Sequence, residues 1–178
     1  MPASFIEPSA LAVGTSILAT LALLLSFFAN ARCNLVKPTL FELGNLFPNL
    51  PDSIGLWCFA TNDGDVIDAR EYDGDSEFEA ARVLGTAALL LGALIWIFFV
   101  VAGCLTRAPP LAFQLMGLLA LCTCGLQGLV FLVYQSDLCA FGCILDTGGK
   151  CGISATVFWF VTGVTSLAAS KEIGRAHV

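Results

Sequence analysis

The sequence predicts an all-α membrane protein, a four-helix transmembrane bundle with a small extracellular β-hairpin or sheet in its first loop. Three observations predict it. Apolar residues make up 57% of the 178 positions and charged residues only 12%, about half the charged share usual in a soluble domain. Mean hydropathy is +0.85, and a soluble fold of this size has too little interior to hide that much apolar surface. Four apolar runs free of charge stand out: Ser9 to Ala31, Val83 to Leu105, Leu111 to Tyr134 and Gly152 to Ser170. At about 1.5 Å per helical residue, each is long enough to cross a hydrocarbon core of about 30 Å.

The first run has a competing reading. Ala29-Asn30-Ala31 fits a small-residue cleavage site, which would make residues 1–31 a secretory signal peptide. No positive charge precedes the run, and it is longer than a signal-peptide core, so an uncleaved helix is expected. Small residues recur in the second and third runs, as Ala81, Gly85, Ala88 and Gly92, then Ala120, Cys124 and Gly128. Such stripes let helix backbones approach closely in lipid, where hydrophobicity alone drives no association.

The connections are unequal. Loops 32–82 and 135–151 share one side of the membrane, while a short turn at Thr106 to Pro110 and both termini share the other. Basic residues lie five to two on the two-loop side (Arg32, Lys37, Arg70, Arg82 and Lys150 against Arg107 and Lys171), which by the positive-inside rule would make the loops cytoplasmic. Cys33, Cys58, Cys139, Cys143 and Cys151 argue the reverse, because they cluster in those loops as disulfide cysteines of an oxidising compartment do. The expected topology therefore has cytoplasmic termini and extracellular or lumenal loops, most naturally at the plasma membrane.

Residues 1–171 read as one membrane domain. The ending Glu172 to Val178 resembles a translated sequencing adapter and is set aside as a non-native tail. It contains His177, the single histidine, so the domain itself lacks the usual general base and commonest metal ligand. With no acid or base in any span, hydrolase, proton-relay and ion-pump chemistry loses its residues, and no cofactor, resident metal or catalytic residue is expected. The net charge of −6 excludes a nucleic-acid partner. No span carries a polar face wide enough to line a pore; Gln114 and Gln127 are the most polar residues of the third.

In the first loop, Ser53 to Ala60 and Val66 to Tyr72 are β-prone, and Thr61-Asn62-Asp63-Gly64-Asp65 between them is a turn signal. Gly55-Leu56-Trp57-Cys58, followed by Phe78-Glu79-Ala80-Ala81-Arg82 entering the second span, resembles the claudin and PMP22-type tetraspan superfamily. That group includes claudins, epithelial membrane proteins and auxiliary γ subunits of channels and receptors. The topological resemblance covers the whole chain; the motif covers about ten residues.

The resemblance implies a link from Arg82 to the loop sheet; a snorkelling arginine at the interface is the plainer reading, and either role is structural. Claudins carry a second loop cysteine downstream of the Gly-Leu-Trp motif. This loop has none after Cys58, so Cys58 is left to pair with Cys33 or with the third loop. One of the five loop cysteines must stay odd, and fifteen pairings remain.

Eight carboxylates run from Asp63 to Glu79. Carboxylates around a glycine turn suit calcium, yet EF-hand spacing is absent. The run reads as a solvated negative surface, with weak extracellular calcium binding the lesser alternative.

The expected function is that of a non-enzymatic, claudin-like protein acting by lateral self-assembly and outer-loop contacts in membrane contact, barrier or organisation, with itself or another membrane protein as partner. An auxiliary subunit of a larger channel or receptor is the second reading and a thiol-redox membrane protein the third. Self-assembly predicts an exposed patch of Leu138, Phe141, Ile144 and Leu145. The auxiliary reading predicts a free lipid-facing stripe of small residues.

Overall fold

The computed structural model describes residues 10–39, 51–61, 65–69, 75–105, 109–140 and 142–176. Its helices are α1 (Ala10–Ala31), α2 (Ser76–Leu105), α3 (Pro110–Leu129) and α4 (Thr147–Ala176). A 3-10 segment, Val130–Gln135, carries α3 onward. All four are long and apolar enough to cross a membrane, consistent with an integral membrane protein.

The helices form a ring in which α1 and α3 each pack between α2 and α4. Small residues make this approach close. Ala81, Gly85, Ala88 and Gly92 are all buried along one stripe of α2, and Gly117 of α3 faces Gly163 of α4 so tightly that a Cβ on either would stand 3.0 Å from the other's carbonyl oxygen. Polar side chains tie the ring together, since hydrogen bonds between helices have no competing water in lipid. Ser16 Oγ donates to the Phe99 carbonyl at 2.9 Å, Trp96 Nε1 to Thr20 Oγ1 at 3.0 Å, and Ser166 Oγ to the Phe113 carbonyl at 2.7 Å.

Two helices begin earlier than their apolar runs. α2 starts at Ser76 rather than Val83, because Asp75 caps it: the Phe78 N–H donates to Asp75 Oδ1 at 2.9 Å, and Glu77 and Glu79 in the first turn suit the helix dipole. Charged residues before Val83 mark the end of the apolar stretch, not the end of the helix. α4 starts at Thr147 rather than Gly152, with the Asp146 side chain accepting from the Thr147 N–H. Gly148 and Gly149 lie in its first turn against the backbone of Asn34 and Leu35, where a side chain would collide.

The sheet also corrects the expectation, since it is not confined to the first loop. Its strands are β1 (Val36–Pro38), β2 (Ser53–Ile54), β3 (Cys58–Ala60), β4 (Val66–Asp68) and β5 (Cys143–Leu145), in the order β4-β3-β2-β1-β5, all antiparallel. The expected hairpin is β3–β4, with Cys58 opposite Asp68 and Ala60 opposite Val66, and the Thr61 N–H closing on the Asp65 carbonyl at 3.0 Å. Its turn residues 62–64, and residues 70–72 of the second β-prone stretch, lie outside the described residues. β5 comes from the third loop and pairs with β1, Lys37 opposite Ile144. One core cluster joins sheet and bundle: Leu35, Val36, Ile54, Leu56, Phe59, Phe78, Val130 and Val133 are all buried in it.

Candidate functional site: an arginine clamp under a disulfide-braced sheet

Gly55-Leu56-Trp57-Cys58 is the tight turn between β2 and β3, closed by the Gly55 N–H donating to the Cys58 carbonyl at 2.9 Å. Glycine is required there by packing. A Cβ on Gly55 would run into the Arg32 carbonyl and stand 2.6 Å from the Cys33 Cα. That close approach puts the two chains side by side where Cys33 and Cys58 form a disulfide, their Cα atoms 4.9 Å apart. Ser53 Oγ donates to the Cys33 carbonyl at 2.9 Å and braces the same point.

Leu56 points into the bundle and is fully buried, leaving its carbonyl beside the first turns of α2. Arg82, only 7% exposed, meets it there. Its Nε donates to the Leu56 carbonyl at 3.0 Å and its Nη2 to the Ala69 carbonyl at 2.7 Å. Its Nη1 bonds Glu79 Oε1 at 3.0 Å. The guanidinium lies 5.2 Å from the Trp57 ring centre and 5.0 Å from that of Phe78. A planar five-donor fork can serve two carbonyls and a carboxylate at once, which an ammonium cannot. The arginine therefore does not snorkel; it clamps the β2–β3 turn and the end of β4 to α2.

A second tie joins the third loop to the same place. The Asp137 N–H donates to Asp75 Oδ2, so the carboxylate that caps α2 also holds the loop. Cys139 and Cys143 close a short disulfide there, with Cα atoms 5.3 Å apart. Cys151 is in neither bridge, which corrects its place among the disulfide candidates: it lies inside α4 as a half-buried free thiol.

The expected contact patch is also corrected. Ile144 is 54% exposed, but Leu138 packs against the core below the sheet and Leu145 is half-buried. Pairing of β5 with β1 turns alternate side chains inward, which loop sequence alone does not reveal. Phe141 lies outside the described residues. On β4, at the other edge of the sheet, Val66 and Ile67 are 65% and 47% exposed. Their exposure was not foreseen, although an edge strand at the far end of a hairpin is the place to look.

On α3, Cys122 and Gly125 are exposed one turn apart, and nothing lies within 4 Å of where a Gly125 Cβ would stand. Among the described residues, no three histidine, cysteine, aspartate or glutamate side chains gather to hold a metal ion.

No protein-family model matches this chain, and a search of curated proteins finds no match. The fold and site define a class, a protein of four helices able to cross a membrane with a small antiparallel sheet and two disulfides at one end.

Proposed function

We propose that the chain is a non-enzymatic, claudin-like tetraspan that works by lateral self-assembly, with its sheet on the extracellular face and its termini in the cytoplasm. The observation that carries this reading is the pair of sheet edges. β4 bears exposed Val66 and Ile67, and β5 bears exposed Ile144. Exposed apolar edge strands are templates for pairing with another chain. The clamp and both disulfides hold that sheet in a fixed pose on the bundle, so edges of neighbouring copies in one membrane plane meet at a constant height. The Gly-Leu-Trp-Cys turn and its arginine give the resemblance to claudin and PMP22-type proteins its physical content. Barrier formation or membrane organisation at the plasma membrane follows from such an array.

Crosslinking in the native membrane, followed by affinity purification of an N-terminally tagged chain, tests this. A ladder of multiples of the chain supports it, and a single larger membrane protein in stoichiometric amount replaces it with the auxiliary-subunit reading. That second reading draws on Cys122 and Gly125, a short gap in the lipid-facing surface of α3 against which a partner helix could pack closely.

A further inference from the structure

The register of the sheet sorts the exposed side chains of β4 by direction. Residues directly opposite one another in antiparallel strands share a face. Val36 lies opposite Ile54, Ile54 opposite Phe59, and Phe59 opposite Ile67, so these four side chains form one row across the sheet. The first three are buried in one core cluster with Phe78 and Ala81 of α2 and with Val130 and Val133. The row therefore points down onto the end of the bundle. Ile67 continues it in the same direction, yet it is 47% exposed. The edge of the sheet overhangs there, and Ile67 reaches past the helices that cover its neighbours. Val66 shares the opposite face with Ser53 and Ala60 and points away from the bundle.

Arg82 fixes the height of this overhang. Ala69, two residues beyond Ile67 and about 7 Å further along the chain, is buried, and its carbonyl accepts from Arg82 Nη2 at 2.7 Å. Arg82 is the last charge before the apolar run that opens with exposed Val83. The β4 end of the sheet thus stands within one arginine side chain of the hydrocarbon boundary. The headgroup layer there adds about 5–7 Å to each side of the core. The half-buried Trp57 ring, 5.2 Å from the same guanidinium, occupies the same level, where an amphipathic ring is at home.

We propose that Ile67 is a lipid anchor, an apolar side chain that the overhanging edge of the sheet sets into the headgroup layer on its own side of the membrane. Moving such a side chain out of water into that layer is favourable. Exposed carboxylates border it, at Asp65, Asp68 and Glu79. They repel anionic headgroups, so the lipid surface it takes is a zwitterionic one, of phosphatidylcholine type. The anchor supports the sheet outboard of the arginine clamp and the two disulfides. Val66 and the open backbone edge of β4 lie above it and stay available. The inference rests on the four helices spanning a membrane and not on how copies assemble.

The test introduces a photoreactive residue into the full chain, as Ile67→p-benzoylphenylalanine and, separately, Val66→p-benzoylphenylalanine. Both positions are exposed, so neither substitution enters the core. Each variant is held as a single copy in phosphatidylcholine nanodiscs and illuminated, and its lipid adducts are measured by mass spectrometry. Several-fold more lipid adduct is expected at position 67 than at position 66, with a lower yield at 67 when phosphatidylserine replaces phosphatidylcholine. Equal yields at the two positions, or none at 67, would overturn the anchor. A yield at 67 that phosphatidylserine leaves unchanged or raises would overturn the preference for a zwitterionic surface. In native membranes, an adduct from 67 to a second copy in place of lipid would likewise overturn it. One copy per disc keeps the lipid result separate from self-assembly, which either outcome leaves standing.

Discussion

Arg82 and Leu56 are 26 residues apart in sequence, and inside the protein the arginine Nε donates to the leucine carbonyl at 3.0 Å. Through this contact, a charge at the end of an apolar run becomes the joint between a membrane helix and a sheet. Arg82→Lys keeps the charge but cannot reach both Leu56 and Ala69. Each lost charge-assisted bond is worth about 1.5–3 kcal/mol. A lower thermal midpoint with altered Trp57 fluorescence is expected, whereas Glu79→Gln, which removes a half-exposed partner of the same arginine, costs less than about 1 kcal/mol of stability. Unfolding monitored by tryptophan emission compares the two.

The two disulfides close loops of very different length, 25 and 4 residues in separation. Chain entropy then predicts a loss of about 3.5 kcal/mol for Cys58→Ser and about 2 kcal/mol for Cys143→Ser. Thermal unfolding of the two single variants checks the order, and Cys151→Ser, which breaks no bridge, serves as the control.

Gly92 faces the Trp159 ring, and a Cβ there would stand 2.6 Å from Trp159 Cζ2. Alanine normally favours a helix over glycine by about 1 kcal/mol. Here Gly92→Ala is expected to destabilise by about 1–3 kcal/mol, as overpacking of a close helix contact does. Gly125→Ala, with open space around its Cβ position, is expected to stabilise or do nothing. Thermal midpoints of the two, measured side by side, separate packing from propensity.

Gly55→Ala meets backbone, not a flexible side chain, at Arg32 and Cys33. The turn must move, and the Cys33–Cys58 bridge with it. Mass spectrometry after alkylation is expected to find Cys33 and Cys58 blocked as free thiols in this variant and resistant in the parent.

The four helices were legible because an apolar run without charge is a direct consequence of lipid on the outside. Their ends were less so. Asp75 and Asp146 are ordinary N-caps, visible in principle, but a search for apolar runs stops at Arg82 and at Lys150 and passes over the helical turns before them. β3–β4 announced itself through its turn. β1 and β5 did not: each has three residues, one contains Pro38, and their pairing joins segments more than a hundred positions apart. The disulfides follow from the same long-range geometry, so fifteen pairings could not be reduced by spacing alone. Arg82 and the Gly-Leu-Trp-Cys turn were legible as a motif, while the partners that give the motif its chemistry, the Leu56 and Ala69 carbonyls, belong to the backbone and leave no trace in residue type.

The central claim is that exposed sheet edges join copies of this chain side by side. The most direct measurement is crosslinking in the native membrane of the parent chain beside a Val66→Asp/Ile67→Asp variant at matched surface level. The account predicts a ladder of multiples for the parent that collapses to the single chain in the variant. An unchanged ladder in the variant, or a lone larger partner recovered with both, would contradict it.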